Sequence, residues 1–479
     1  MDDTRKAPIG LGQLGMILAG LCLASLPAHA GSDPLGAYSG LGASPGRLIE
    51  APGEQLSPLT TQLPAAWRGR PLTLAQLSAL ALRNNPSTRA AWETLRAQAA
   101  ALGQAKSAWW PTLDLNVPLT RSQSATAAGA NAPPQNTLRP NLTLSWLVWD
   151  FGQTQASVDA SQAQLNAATF TQNASVQSVL SGVQQAYYQL LGDRALVTSY
   201  TEALASSKAA LQAAEAKHRA GQATIADVYQ ARASVASARA ALAAGEQTVA
   251  SDEGGLASAV GLPLDTRLRL APLDLGTPPK LRVPVQALMR QALRANPSLQ
   301  STRSQVNAAQ ADLRAAQRSG LPSITFGATQ TWRAQNEQSP SRQYSLGLTL
   351  SVPLFSGFKR HYEEAQARAS LAEAQANLKV GVQSTQLSVW QDYYAFRSAS
   401  AALPSARAQL DNALKALDAV QAQYRVGLAT MQDLLSAQAT VTSARVAVTR
   451  DAIDSYKALA NLSASIGTLA PPEGALNGQ

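Results

Sequence analysis

The sequence predicts a mixed α and β membrane protein, in which a trimeric β-barrel continues into a long barrel of coiled α-helices. Three observations predict this fold: an internal duplication, two pairs of strands with one apolar face, and helices too long for a globular core. The duplication has the widest consequence, because both copies of a repeat are expected to adopt one architecture.

The duplication is clearest in two predicted helical hairpins, residues 152–261 and 357–467. Each contains a long helix, a tight turn and a returning helix. The glycines of the two turns, Gly221 and Gly427, differ by 206 in residue number. Other pairs with this offset are Asp227 and Asp433, Tyr187 and Tyr393, and Gly261 and Gly467. The chain is therefore predicted to contain two copies of one structural unit.

Five segments follow from the repeat and from composition. They are a signal peptide (1–30), an extended N-terminal arm rich in Gly, Pro and Ser (31–71), a first structural repeat (72–277), a second structural repeat (278–467) and a C-terminal tail (468–479).

The first segment has the three parts of a secretory signal. Arg5 and Lys6 precede an apolar core at 14–26, and Ala-His-Ala at 28–30 offers a cleavage site. A membrane-spanning anchor is the alternative, but the apolar core is short for a bilayer. Cys22 is the single cysteine of the chain. Lipidation of Cys22 is not expected, because the bulky Leu21 precedes it.

The composition excludes several classes of protein. Hydrophobic residues make up 46% of the chain, too many for a disordered protein. The formal net charge is +9, but the Lys and Arg residues are scattered. Because nucleic-acid-binding proteins cluster their basic residues on one face, we expect no nucleic acid as a partner.

Each repeat contains a pair of predicted strands in which apolar and small polar residues alternate. The predicted strands span about 112–120, 138–149, 322–332 and 343–354, and the predicted loops 121–137 and 333–342 join them. Hairpins that cover a soluble core would show the same alternation. The membrane-barrel pattern is favoured because the strands are about 9–11 residues long and have aromatic residues towards their ends.

Four strands are too few to close a barrel. An open sheet edge in lipid leaves backbone groups unpaired, at a cost of several kcal/mol each. Other copies of the chain must therefore complete the sheet, and three copies would supply twelve strands.

The predicted long helices point to the same kind of assembly. No proline occurs between Gly152 and Pro263, so the first long helix would extend roughly 100 Å at 1.5 Å per residue. A helix of that length must pack on other long helices. In the second copy, Pro404 is expected to interrupt the matching helix with a local kink.

These features together resemble the TolC-like outer-membrane efflux family, also called outer membrane factors. The resemblance covers residues 72–467. It rests on Asn-Pro-Ser at 85–87 and 296–298, Trp-Asp-Phe-Gly at 149–152, Leu-Phe-Ser-Gly at 354–357, and Arg-Val-Gly-Leu at 425–428. No single motif is specific, but the ordered set, which occurs twice, is.

The resemblance implies a homotrimer with its barrel in the lipid of the bacterial outer membrane and its helices extending into the periplasm. It implies a passive exit duct of a tripartite export system, in which a periplasmic adaptor connects the duct to an inner-membrane transporter. The expected cargo is small toxic compounds or drugs. The outer-membrane component of a type I protein secretion system is the alternative.

The resemblance also implies the functional residues. The adaptor is expected to bind the turns, at Gly221, Thr224, Arg425, Val426, Gly427, Leu428 and Thr430. Asp227 and Asp433 are expected to form a periplasmic gate, since a ring of carboxylates favours cations. The alternatives are that the glycines serve only the turns and that each aspartate caps a helix. Ser436 and Gln230 stand where some members of the family have a second acid.

An enzyme is not expected. The chain beyond the signal peptide has two histidines, His218 and His361, on predicted exposed helix, and it has no cysteine. No metal-type spacing of ligands and no phosphate loop occurs, so neither a metal nor a cofactor is expected. A dinucleotide-like glycine pattern at 10–15 lies inside the signal peptide, where no strand precedes it.

Overall fold

The computed structural model describes most of both predicted repeats. The described residues are 63, 67, 69–124, 133–272, 281, 283–335 and 338–468. The predicted signal peptide with Cys22, nearly all of the N-terminal arm, and the tail beyond residue 468 lie outside them. None of the helices in the described ranges is long and apolar enough to cross a membrane.

The two halves of the chain contain matching elements. The first half consists of α1 (Leu74–Asn84), α2 (Pro86–Ser107), β1 (Thr112–Asn116), β2 (Leu119–Ser122), β3 (Gln135–Leu138), β4 (Asn141–Trp149), α3 (Gln153–Arg219) and α4 (Ile225–Val260). The second half consists of α5 (Val285–Ala295), α6 (Pro297–Arg318), β5 (Ser323–Gln335), β6 (Gln338–Ser351), α7 (Lys359–Arg425) and α8 (Met431–Ile466). Matching helices have equal lengths of 11, 22, 67 and 36 residues.

The strands of the first half differ from the prediction. The predicted strand 112–120 is two strands, interrupted at Pro118, and the predicted strand 138–149 is preceded by β3 and interrupted at Pro140. Proline has no N–H to donate to a neighbouring strand, which explains both breaks. The carbonyls of both prolines still accept hydrogen bonds. Arg139 N donates to Pro118 O (3.0 Å), and Trp332 N donates to Pro140 O (2.9 Å).

Two further expectations are corrected. The predicted loop 333–342 is mostly strand, because β5 extends to Gln335 and β6 starts at Gln338. The expected interruption at Pro404 does not occur, since α7 continues through this residue, and the local kink stays a prediction. A proline removes one hydrogen bond of a helix, and a 67-residue helix packed along its length retains the others.

The strands form one antiparallel sheet with four positions, because β2 follows β1 in line and β4 follows β3. The order across the sheet is β1/β2, β3/β4, β5 and β6. The helices continuous with these strands pack side by side in the same order, α2, α3, α6 and α7. Among the described residues of a single chain, no strand therefore pairs with the β1/β2 edge or with the β6 edge of the sheet.

The short helices are fixed to the ends of the returning helices at two matching sites. Asn85 Nδ2 donates to Ala259 O over 2.9 Å, and Asn296 Nδ2 donates to Ser465 O over 3.1 Å. At both sites a glycine, Gly261 or Gly467, lies against the backbone that precedes α2 or α6. These contacts hold each hairpin at a fixed height relative to the sheet.

Candidate functional site: the hairpin tips

The two hairpins end in turns with the same hydrogen bonds. We call residues 217–228 and 423–434 together the tip. In the first turn, Gly221 N donates to His218 O (2.9 Å) and Gln222 N to Lys217 O (2.8 Å). In the second, Gly427 N donates to Tyr424 O (3.3 Å) and Leu428 N to Gln423 O (2.9 Å). This pair of bonds is the Schellman motif, which ends a helix at a left-handed residue.

The left-handed residue is Gly221 (φ 74°) in the first turn and Gly427 (φ 83°) in the second. Both turns thus need glycine for their backbone conformation. A Cβ built on either glycine would meet no atom of the described residues within 4 Å, apart from its own chain neighbours. The space outside both glycines is consequently open to another molecule.

The returning helices start with matching capping boxes. Thr224 Oγ1 accepts from Asp227 N (3.2 Å), and Thr224 N donates to Asp227 Oδ2 (2.9 Å). Thr430 Oγ1 accepts from Asp433 N (3.1 Å), and Thr430 N donates to Asp433 Oδ2 (2.9 Å). All four residues therefore stabilise the turns, as the capping alternative anticipated.

The capping bonds also affect the charge of the tip. The hydrogen bonds from the Thr430 side chain and backbone lower the pKa of the exposed Asp433 carboxyl below its usual value. A carboxyl with a lowered pKa stays ionised to a lower pH than an ordinary aspartate. Asp433 can therefore cap its helix and present a negative charge to solvent at the same time.

The second turn exposes two large apolar side chains that the first turn lacks, whereas on the first side the exposed apolar residue is Ile225, at the start of α4. Val426 is 72% exposed and Leu428 is 81% exposed. The equivalent positions of the first turn are Ala220 and Gln222. Two neighbouring, nearly free aliphatic side chains at the end of a hairpin indicate a protein contact.

A contact that the sequence did not predict joins the two turns. Lys217 Nζ donates a short hydrogen bond to Tyr424 O and lies 4.2 Å from the centroid of the Tyr424 ring. Burial and the nearby negative charge of Asp227 raise the pKa of the Tyr424 hydroxyl. The two residues are 207 positions apart, so no local pattern indicated that they meet.

An apolar cluster beneath this contact packs the hairpins together. It consists of Ala210 and Ala214 of α3, Val228 and Ala231 of α4, Tyr424 of α7, and Met431 and Leu434 of α8. The structure therefore brings the predicted residues of both turns to one end of the molecule. No group of three or more possible metal ligands occurs among the described residues.

Comparisons with known proteins agree with this architecture. A family model described as outer membrane efflux protein matches residues 77–262 and 288–468, one segment in each repeat. Protein CyaE of Bordetella pertussis is 28% identical over 386 residues, which cover 80% of this chain and 81% of CyaE. The pyoverdine export outer membrane protein OpmQ of Pseudomonas aeruginosa is 26% identical over 350 residues, which cover 72% of this chain and 71% of OpmQ.

A solved structure shares the fold. The outer membrane protein VceC from Vibrio cholerae superimposes with a TM-score of 0.72, covering 82% of this chain and 96% of VceC. The two sequences are 20% identical, so this likeness concerns the fold alone. The family model confirms the resemblance predicted from the repeated motifs.

Proposed function

This chain belongs to the outer membrane efflux protein family, and on that premise we propose that three copies form an export duct which an inner-membrane transporter feeds through a periplasmic adaptor. The protein is located in the bacterial outer membrane and extends into the periplasm, and its family consists of channel proteins rather than enzymes. The duct itself is passive, and the energy for export comes from the transporter.

The main support for the trimer is the sheet, which has one apolar face and two unpaired edges. The strand register aligns apolar residues on one face across all four positions. This face contains Leu113, Leu115, Leu142, Leu144, Trp146, Ile324, Phe326, Leu346, Leu348 and Leu350. The opposite face contains small polar residues such as Thr143, Ser145, Thr325, Thr329 and Thr349. The apolar face suits lipid, and the polar face suits a water-filled lumen.

Pairing β6 of one copy with β1/β2 of the next removes both free edges at once. The same contact is head-to-tail, so a rotation that closes it produces a ring. Helix α7, at the corresponding edge of the helical layer, exposes Tyr362, Val380, Leu387 and Trp390. A neighbouring copy would cover these side chains in the ring.

The detergent-solubilised protein should therefore produce discrete conductance steps in a planar bilayer, and a protein without any conductance would contradict the duct.

The tip is the proposed contact with the adaptor. Val426 and Leu428 supply exposed apolar area, and the open space outside Gly221 and Gly427 allows a partner backbone to approach closely. Thr224, Thr430 and Arg425 complete the proposed surface. The name of OpmQ refers to export of pyoverdine, which supports small molecules as the cargo here. Purifying this protein together with its inner-membrane transporter and identifying that transporter would show whether the cargo is a small molecule or a protein exported by a type I system.

Asp227 and Asp433 are the proposed gate. A suitable substitution can remove the negative charge of both residues and keep their role as helix caps. The double variant Asp227→Asn with Asp433→Asn keeps an oxygen that can accept the capping hydrogen bonds and removes the charge. We expect higher conductance and weaker cation preference, measured as reversal potentials in a salt gradient across a planar bilayer, with little change in thermal stability. Currents equal to the wild type would exclude both residues from the gate.

Lys217 is proposed to hold the two hairpins together at the tip. A hydrogen bond from a charged donor contributes about 1.5–3 kcal/mol, so Lys217→Met should raise the ratio of open to closed tips about tenfold. Single-channel recordings would measure this ratio as open probability. Lys208→Met, nine residues earlier on the exposed surface of α3, is the matched control and should behave as the wild type. Equal open probabilities in both variants would show that the contact does not restrain the tip.

A further inference from the structure

The end of the sheet away from the long helices is rich in arginine. Arg121, Arg139, Arg333 and Arg342 lie there, and all are exposed. Within the described part of the chain, none of the four forms an ion pair. Between residues 112 and 149 and between 323 and 351, the acids are Asp114, near the opposite end of the sheet, and Glu337, which lies outside the described residues.

Two of these arginines lie on the apolar face. Arg121 follows two residues after the exposed Leu119 in β2, and residues two apart in a strand share a face. Arg342 is opposite Trp332 and precedes Tyr344 by two residues in β6. Arg333 is opposite Ser341 and lies on the polar face. The apolar face therefore ends in Arg121 at one edge of the sheet and in Arg342 at the other.

The proposed trimer brings these two edges together. The first strands of the repeats are related by an offset of 211 and the second strands by 206. Within one subunit, Leu142 of β4 lies opposite Gln330 of β5. The residue that matches Leu142 in the second repeat is Leu348 of β6, and the residue that matches Gln330 in the first repeat is Leu119 of β2. Leu348 is therefore expected to lie opposite Leu119 of the neighbouring subunit. Two residues further out, Leu346 lies opposite Arg121 of the neighbouring subunit.

The seam between subunits thus has a basic outer end. Arg342 is four residues beyond Leu346, about 14 Å along the strand at roughly 3.4 Å per residue. Tyr344 lies between the two arginines on the same face. At the equivalent contact inside one subunit, the residue that matches Arg121 is Trp332 and the residue that matches Arg342 is Asn136. The basic pair is therefore specific to the seams between subunits.

Two guanidinium groups at the edge of a lipid-facing apolar band are well suited to bind an anion that is present in the membrane. We propose that each seam binds the phosphorylated headgroup of lipopolysaccharide in the outer leaflet, an inference that rests on the proposed trimer. Arg121 of one subunit and Arg342 of its neighbour donate to phosphate oxygens, a geometry that the planar guanidinium favours. Tyr344 lies at the interface between headgroups and acyl chains.

The test uses the full chain purified in detergent and titrated with fluorescently labelled lipopolysaccharide. The variant with Arg121→Gln and Arg342→Gln should bind at least about tenfold more weakly, because two charged donors are lost. Arg333→Gln, at the same height on the polar face, is the matched control and should bind as the wild type. Dephosphorylated lipopolysaccharide should bind the wild type as weakly as intact lipopolysaccharide binds the double variant.

Equal binding by the wild type and the double variant would overturn the inference, as would an equal loss in Arg333→Gln. Wild-type affinity for phosphatidylglycerol vesicles that matches the affinity for lipopolysaccharide would overturn the choice of lipid. Native mass spectrometry of the same samples separates the two proposals. A wild-type particle that is not a trimer would refute the trimer and the seam together, whereas a trimer whose binding ignores both arginines would refute the seam alone.

Discussion

Replacing Gly467 with alanine is expected to destabilise the protein by about 2–5 kcal/mol, because a left-handed conformation and a backbone clash act together. Gly467 has φ 87°, and a Cβ there would lie 2.7 Å from Asn296 Cα and 2.8 Å from Ala295 C. These are backbone atoms at the junction of α5 and α6, so they cannot move aside as a flexible side chain would. Thermal unfolding followed by circular dichroism in detergent would measure the loss.

Gly427→Ala is the matched control for this prediction. It imposes a similar left-handed conformation, φ 83°, but beyond its chain neighbours its Cβ would meet no atom of the described chain within 4 Å. Its expected cost is only the left-handed penalty of about 1–2 kcal/mol. Gly261→Ala should behave like Gly467→Ala, because its Cβ would lie 2.7 Å from the backbone of Asn84. Equal melting temperatures for Gly467→Ala and Gly427→Ala would contradict the close-packing argument.

The double variant Gly221→Trp with Gly427→Trp is expected to abolish export in cells while the protein still folds and assembles. Both positions face open space, so an indole ring projects outward and blocks the approach of the adaptor. Export would be measured as resistance to toxic compounds in a strain that lacks its own copy of the protein. The resistance should fall to the level of that strain.

The double variant Gly221→Ala with Gly427→Ala is the control that distinguishes steric blocking of the adaptor from backbone strain in the turns. The alanine variant introduces the same left-handed penalty without the bulk, so it should keep most of the export. Immunoblotting of outer-membrane fractions would show that both variants reach equal amounts. Full resistance in the tryptophan variant would remove the turns from the adaptor contact.

The long helices could be predicted from the sequence because their signal is local and repeated. Both predicted helical hairpins begin and end within two residues of the observed helices, since glycines with positive φ lie beside their ends. The capping role of Asp227 and Asp433 was also accessible. A threonine three residues before each aspartate is a known sign of a helix start.

The strand ends were harder to predict. Pro118 and Pro140 fit the alternation of apolar and polar residues, so the pattern did not reveal the breaks in hydrogen bonding. The outer half of β6, from Gln338 to Gln343, consists of polar residues and one proline and shows no alternation with apolar residues. Pairing with a neighbouring strand, rather than an apolar face, keeps this segment extended.

Contacts between the two hairpins could not be predicted from one sequence. The position of Lys217 beside Tyr424 depends on how α3 and α7 pack, and packing of distant elements leaves no periodic signal along the chain. The offset of 206 showed that the turns are equivalent. It did not show that they touch, or that their exposed side chains differ.

The central claim is that a single chain leaves two sheet edges unpaired and that three copies close the ring. Native mass spectrometry of the protein extracted from the outer membrane in mild detergent tests it most directly. We predict a particle of three identical chains that persists on dilution. A particle that is a stable monomer in the same extract would contradict the claim.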